Sequence, residues 1–403
     1  MKILLLSNWF PPITSGSSYY TYSLAQALTQ RGHQLVVVTL DWGKNETADE
    51  PCPYPVYRLP VRKLPKMPLF FNLELMGFAF TPGNIKRLRK IIEEQKPDLI
   101  HHVNHIFDTN FLSTLAAKMC KLPIVGSITT PVQHENKWMH VVYSVVDRFT
   151  IGWFGVRLWD GIVSLDKEVH GYVGKVYGNA VQKRSAIVPF GVPLQSLSLY
   201  ERGHQNFSPR PQILTVGHIH PFRNPVMMVR AMPLVLKEVP DARLVIAGRL
   251  DLQEPVKVAE SLGLNREYVD FKGEISHDQS IQMMKESHIF AMWGTGPYLG
   301  LGTAAMEAML CETPVINDLP EDLFGESRLV DGENIIIVNS KDRRAVADSM
   351  IRLLKDSGLR RRIGANGRKF VLDHLSWDSI AGKMERFYEK ILEPRTAFPM
   401  SRA

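Results

Sequence analysis

The chain has 403 residues, 45% hydrophobic and 22% charged, the make-up of an ordinary globular protein with room for about two or three domains. A formal charge of +7 favours acidic partners in general, without choosing among nucleotide phosphates, anionic lipid and nucleic acid. Three cysteines far apart, Cys52, Cys120 and Cys311, exclude a disulfide framework or a cysteine zinc site, and no run approaches the ~18 apolar residues of a membrane span.

The start, Met1-Lys2-Ile3-Leu4-Leu5-Leu6-Ser7, has too short an apolar run for a signal peptide and reads as a first strand, so the expected location is cytoplasmic. Further β-branched runs at 35–40, 99–103, 124–128, 161–165 and 186–188 alternate with helical patterns, the first at 18–30 and stopped by Gly32. That alternation predicts a Rossmann-like, doubly wound parallel sheet over 1–193. The polar stretch 194–211 lacks periodicity and reads as a linker. Strand runs restart at 213–216, 244–247, 269–273, 288–292, 315–316 and 335–338, predicting a second Rossmann-like domain over 212–375. Helical patterns at 342–355 and 376–391 finish the chain, the last belonging to a segment, 376–403, expected to pack back on the N-terminal domain.

Between the runs at 288–292 and 315–316 lies a glycine-rich turn (Gly294, Gly296, Gly300, Gly302) leading into a helical pattern at 303–310. In a parallel sheet such a turn sits at the carboxyl edge, where the free N–H groups of a helix start receive a phosphate. Trp9-Phe10-Pro11-Pro12-Ile13-Thr14-Ser15-Gly16 follows the first strand, and Gly16 allows a close backbone approach to a ligand; the plainer reading is a strand-to-helix turn. Gly217-His218-Ile219-His220-Pro221-Phe222-Arg223 follows the first strand of the second half and offers Arg223, a permanent fork-shaped cation, with His218, whose unperturbed imidazole is mostly neutral at pH 7. The cluster His101-His102-His105 invites a metal, but Asp108 is its only nearby acidic neighbour, so a structural or acceptor-side role is preferred to zinc. Arg58, Arg62, Lys63 and Lys66 flank an aromatic-rich run through Phe80, which reads either as a peripheral contact with an anionic membrane through 58–80 or as a buried helix with a basic flank.

Taken together, these segments resemble the retaining GT-B glycosyltransferases of family 4, over nearly the whole chain. The family's pattern Glu-Gly-Phe-Gly-Leu, then Glu-Ala-Met, then Cys-Gly-Thr-Pro-Val stands here as Leu299-Gly300-Leu301-Gly302-Thr303, Glu307-Ala308-Met309 and Cys311-Glu312-Thr313-Pro314-Val315. The resemblance implies a GT-B fold with an interdomain cleft and a donor nucleotide sugar. It places the ribose on Glu307, the base beside Ile275, the sugar near Leu299 and the diphosphate among Gly300, Leu301, Gly302, Thr303, His218 and Arg223, with Ser15 and Gly16 facing it from the N-terminal domain. Thr129 stands where the family usually has a histidine beside the reacting sugar, and His134 and Glu135 follow it. It also implies catalysis without metal or other cofactor, a hydroxyl acceptor that includes lipid-linked sugars, and no nucleic acid partner. Because the first glutamate of the family's pair is Leu299 and the histidine is Thr129, a non-catalytic nucleotide-sugar binder, or a scaffold in a glycan-assembly pathway, is the alternative. A third reading, a sugar-nucleotide epimerase, differs in yielding product from donor alone.

Overall fold

The computed structural model describes residues 1–13, 15–43, 52–63, 77–132, 137–192, 197–201, 208–294 and 300–393. Two compact units divide the chain, one of residues 1–191 with 377–403, the other of residues 192–376. Leu299, His134, Glu135, the run 64–76 and much of the stretch 194–211 lie outside the described residues.

The first unit is built on a seven-stranded parallel sheet in the spatial order Val56–Pro60, Gln34–Asp41, Lys2–Ser7, Leu99–Val103, Ile124–Ile128, Gly161–Ser164, Ser185–Ile187. Successive side chains of each strand enter opposite cores: Leu4, Leu6, Val36 and Val38 on one face, Ile3, Leu5, Leu35 and Val37 on the other. Burial of both faces is why these strands read as unbroken apolar runs. Helix Gly16–Gln30 begins where the Ser15 side chain accepts the Ser18 N–H at 3.1 Å, and ends where Gly32 takes a left-handed φ of +88°. Helix Trp377–Leu392 packs on this unit. Its Glu385 accepts two bonds from Arg31 and lies 3.1 Å from His33, while the buried Tyr388 hydroxyl lies 2.5 Å from His101 Nδ1.

The second unit repeats the plan with six parallel strands in the order Val269–Gly273, Arg243–Ala247, Gln212–Val216, Ile289–Ala291, Val315–Asn317, Ile336–Ile337. In both units the order reverses direction beside the first strand. The loops that leave the carboxyl ends of the two central strands therefore diverge to opposite faces and leave a crevice between them, where ligands of open α/β sheets bind. In the first unit those loops carry 8–13, 15 and 104–108 by position; in the second they carry 217–224, 292–294 and 300–302.

Two elements differ from the sequence expectation. Val56–Pro60 is an additional edge strand, and Ser357–His374 is an 18-residue helix that its internal glycines conceal. Those glycines are packing residues: a Cβ on Gly364 would stand 2.1 Å from the Glu312 carbonyl oxygen, and one on Gly367 3.0 Å from that of Asn334.

Candidate active site

At the crevice of the second unit lies a cavity of about 300 Å³ lined by His220, Phe222, Arg223, Met292, Trp293, Gly294 and Gly300. Loops from the two central strands thus converge on one space, and Arg223 and Gly300 share its wall. The local backbone explains how Arg223 gets there. Gly217 leaves its strand at φ +146°, and a Cβ at that position would lie 2.8 Å from Arg223 Nη1, so the guanidinium rests over bare backbone. Arg223 N–H then donates to His220 O at 2.8 Å, closing a tight turn that points the side chain back toward the sheet. The guanidinium is half-buried, burial holds its pKa below the ordinary arginine value, and among the described residues no carboxylate pairs with it. A partly desolvated cation without a counterion favours an anionic ligand.

Gly300 has open space where a Cβ would stand, so neither packing nor its φ demands glycine there. Gly302 differs: its φ is +75° and a Cβ would meet Met292 Cε at 2.3 Å, so the turn into helix Thr303–Leu310 depends on it. Leu301 is buried between them, and its carbonyl accepts the Asn317 side-chain amide at 3.4 Å. Thr303, first in the helix, is exposed. Glu307, one turn on, is buried, and its Oε1 lies 2.9 Å from His277 Nε2. Among the described residues its second oxygen, Oε2, carries no hydrogen bond. Ile275, two residues before His277, is half-buried in the loop after strand Val269–Gly273. After the helix, Glu312 takes the left-handed φ of +57° that glycine adopts freely, as the Thr313 N–H closes on Ala308 O. The family's glycine at this point is therefore a helix stop, and glutamate strains it by about 1 kcal/mol.

His218 is placed differently from Arg223. Its Nε2 lies 2.5 Å from Asp251 Oδ2, and Asp251 also receives two bonds of 2.9 Å from Arg249, which with His218 hold its pKa down at about 2. His220, rather than His218, lines the cavity. A positive charge on His218 would be balanced at once by Asp251.

In the first unit, Ser15 is the cap of helix Gly16–Gln30, and Gly16 again has open space where a Cβ would stand. Asn104, at φ +71°, donates from Nδ2 to Ser17 Oγ at 3.2 Å, joining its loop to the first turn of that helix. Thr129 is half-buried just beyond strand Ile124–Ile128. The histidine cluster is internal. His101 lies between Tyr388 and Ser127, and His102 between Asn104 O and Ser113. The carboxylate nearest His105 is Asp147, at 3.9 Å, and not Asp108, whose Oδ2 accepts from Ala79 N and Phe80 N. Among the described residues no group of three His, Cys, Asp or Glu is arranged to hold a metal ion.

Sequence spacing did not reveal His277 or Asp251. Asp251 follows the strand beside that of His218, a neighbourhood parallel pairing implies; His277 and Glu307 meet only through tertiary packing.

Two parallel α/β units of this strand order, each with its crevice at the carboxyl edge, define the GT-B class. Residues 14–196 match the Glycosyltransferase Family 4 domain and residues 200–370 the Glycosyl transferases group 1 domain. The chain is thus a glycosyltransferase of GT-B type assembled from these two domains. It is 26% identical, over 98% of its length and 99% of the relative's, to an uncharacterized glycosyltransferase of Methanocaldococcus jannaschii. To the GDP-mannose-dependent alpha-(1-6)-phosphatidylinositol monomannoside mannosyltransferase of Mycobacterium tuberculosis it is 25% identical, over 96% of this chain and 97% of that one. The crystal structure of Anabaena HepE in complex with UDP-glucose shares the fold, with a TM-score of 0.66 at 17% identity over 97% of this chain and 100% of that chain.

Proposed function

We propose that this protein moves a hexosyl group, with retention and without a metal, from a nucleoside diphosphate sugar to a hydroxyl of a lipid-linked acceptor. The observation that carries the reading is the half-buried guanidinium of Arg223, paired with no carboxylate among the described residues, sharing one cavity wall with Gly300 just before the helix start at Thr303. There the diphosphate is gripped by a two-bond fork and by main-chain N–H groups. Both act most strongly on the charge that grows on the diphosphate as its bond to the sugar breaks, so leaving-group stabilisation by preorganised charge is the main catalytic effect. Glu307 takes the ribose hydroxyls, with His277 holding its carboxylate in place; Ile275 lies against the base. The acceptor hydroxyl enters on the face the leaving group vacates, where Thr129 donates a hydrogen bond but takes up no proton. The lipid-linked acceptor and the preference for mannose rest on the likeness to the mycobacterial mannosyltransferase.

The expected result is release of nucleoside diphosphate from GDP-mannose or a related donor only when acceptor is present, undiminished by a metal chelator. Glu307→Ala is expected to weaken nucleotide binding by about tenfold or more, since one hydrogen bond to a charged group contributes about 1.5–3 kcal/mol. Binding without turnover would favour a non-catalytic binder, product from donor alone an epimerase, and unchanged affinity of Glu307→Ala would refute the ribose assignment.

A further inference from the structure

The segment between strands Ile124–Ile128 and Gly161–Ser164 is folded inside out. Helix Lys137–Val146 continues through a π turn at Asp147–Ile151 into the short helix Gly152–Phe154. Its outer face carries Trp138, Val141, Val145, Phe149, Trp153 and Phe154, each about half to three-quarters exposed. Its inner face carries Tyr143, Asp147 and Gly152. An ordinary surface helix shows the opposite arrangement.

Rotation is fixed by the inner face. Asp147 accepts hydrogen bonds from the hydroxyls of Tyr172 and Tyr177, and Gly152 sits so close that a Cβ would lie 2.7 Å from the Tyr177 ring. Rolling the apolar side inward would bare a carboxylate-bonded polar cluster and collide with that ring. The apolar face is therefore held outward by design of the packing, which marks an interaction surface.

Charge selects the partner. From residue 138 to 159 the only carboxylate is Asp147, and it is buried, whereas Arg148 is exposed beside Phe149 and the Arg157 guanidinium lies 5.0 Å from the centre of the Trp153 ring. Tryptophan and phenylalanine side chains flanked by arginines suit the boundary between headgroups and acyl chains, where the rings enter and the cations meet lipid phosphates. A second copy of the chain would bring two faces of the same charge together.

We infer that this face is the surface by which the protein rests on an anionic lipid bilayer. The chain enters the segment from the carboxyl end of strand Ile124–Ile128, just past Thr129, so the bilayer would adjoin the edge at which ligands of such a sheet bind. The inference deepens the lipid-acceptor reading given above, and the surface is distinct from 58–80. There, Arg58 donates to Pro11 O, and Arg62 and Lys63 lie in a small antiparallel pair with Gly77 and Phe78.

Flotation of the full chain with phosphatidylcholine vesicles, with and without phosphatidylglycerol, tests it in the absence of any sugar donor. The wild type should float with anionic vesicles, and Phe149→Ser/Trp153→Ser/Phe154→Ser should reduce the floated fraction about tenfold or more at unchanged Tm, while Arg62→Glu/Lys63→Glu leaves it as it was. No flotation of the wild type, or equal flotation of the triple variant, would overturn the inference. A wild-type dimer that the triple variant breaks, with neither floating, would assign the face to a second copy instead. Because vesicle binding needs no transfer, failure here leaves the glycosyltransferase reading standing, and a chain that floats but never transfers sugar would fail only that reading.

Discussion

Arg223→Ala is expected to lower kcat/KM by at least about a hundredfold while leaving the unliganded protein as stable as the wild type or more so. The first part follows from what the guanidinium offers a diphosphate. Removing one preorganised donor from a charge-stabilising site costs about 10²–10³ in rate, and a fork loses two bonds at once. The second part follows from its surroundings. Burial lowers the Arg223 pKa, and among the described residues no carboxylate compensates its charge, so without ligand the side chain is a burden on the fold. Arg223→Lys keeps the charge but not the fork, and should fall between the two. Steady-state kinetics with thermal melts of the apo proteins check both parts. A variant that loses activity by unfolding would show Arg223 to be structural; one that keeps activity would remove it from the site.

The second large effect concerns acid. Burial pushes the pKa of His101, His102 and His105 down to about 3 each, with their mutual repulsion adding to the shift of the first two. The folded protein therefore holds all three neutral, whereas an unfolded chain protonates them near the unperturbed ~6.5. With the folded value below the unfolded one, the unfolded state binds more protons across the window from about 6.5 down to about 3. Stability is lost as pH falls through it, by about 1.4 kcal/mol per imidazole per pH unit. Three such groups make the loss at pH 5.5 about 4 kcal/mol, a large part of the ~5–15 kcal/mol that holds a domain together. Asp108 and Asp147, whose pKa values burial raises, act in the opposite sense as they protonate.

His105 is the most exacting case. It lies 3.9 Å from Asp147, but both Asp147 oxygens accept tyrosine hydroxyls, and neither ring nitrogen of His105 has a hydrogen-bond partner among the described residues. Such a ring is neutral and unsatisfied, so His105→Leu should stabilise the fold and remove about a third of the acid slope. Urea unfolding at several pH values between 5.5 and 7.5 measures both. A slope unaffected by the substitution would mean that the histidine titrates freely.

Much of this was legible in the amino-acid order. Strands buried on both faces leave continuous β-branched runs, and the periodic helix at 303–310 has the observed ends, Thr303 and Leu310. Val56–Pro60 was not legible, because it pairs on one side only and its Tyr57 and Arg58 break the apolar run. The helix Ser357–His374 was not legible either, because Gly364 and Gly367 interrupt its pattern, and they serve close packing, a requirement set by residues some 30 to 50 positions away. In the site, Arg223 and Gly300 could be found because the loops leaving the carboxyl ends of neighbouring parallel strands border the same crevice. The Asp251 partner of His218 and the His277 partner of Glu307 could not, since hydrogen bonds between side chains of separate elements leave no periodic trace. The outward apolar face of 138–154 is equally silent, as an inverted amphipathic helix and a normal one have the same spacing.

A crystal structure of the chain soaked with GDP, in the presence of a chelator, examines the central claim most directly. The diphosphate should lie within hydrogen-bond distance of the Arg223 guanidinium and of main-chain N–H groups at 300–303, with the ribose hydroxyls on Glu307. A nucleotide found with its phosphates elsewhere, or held only when a metal ion is supplied, would contradict it.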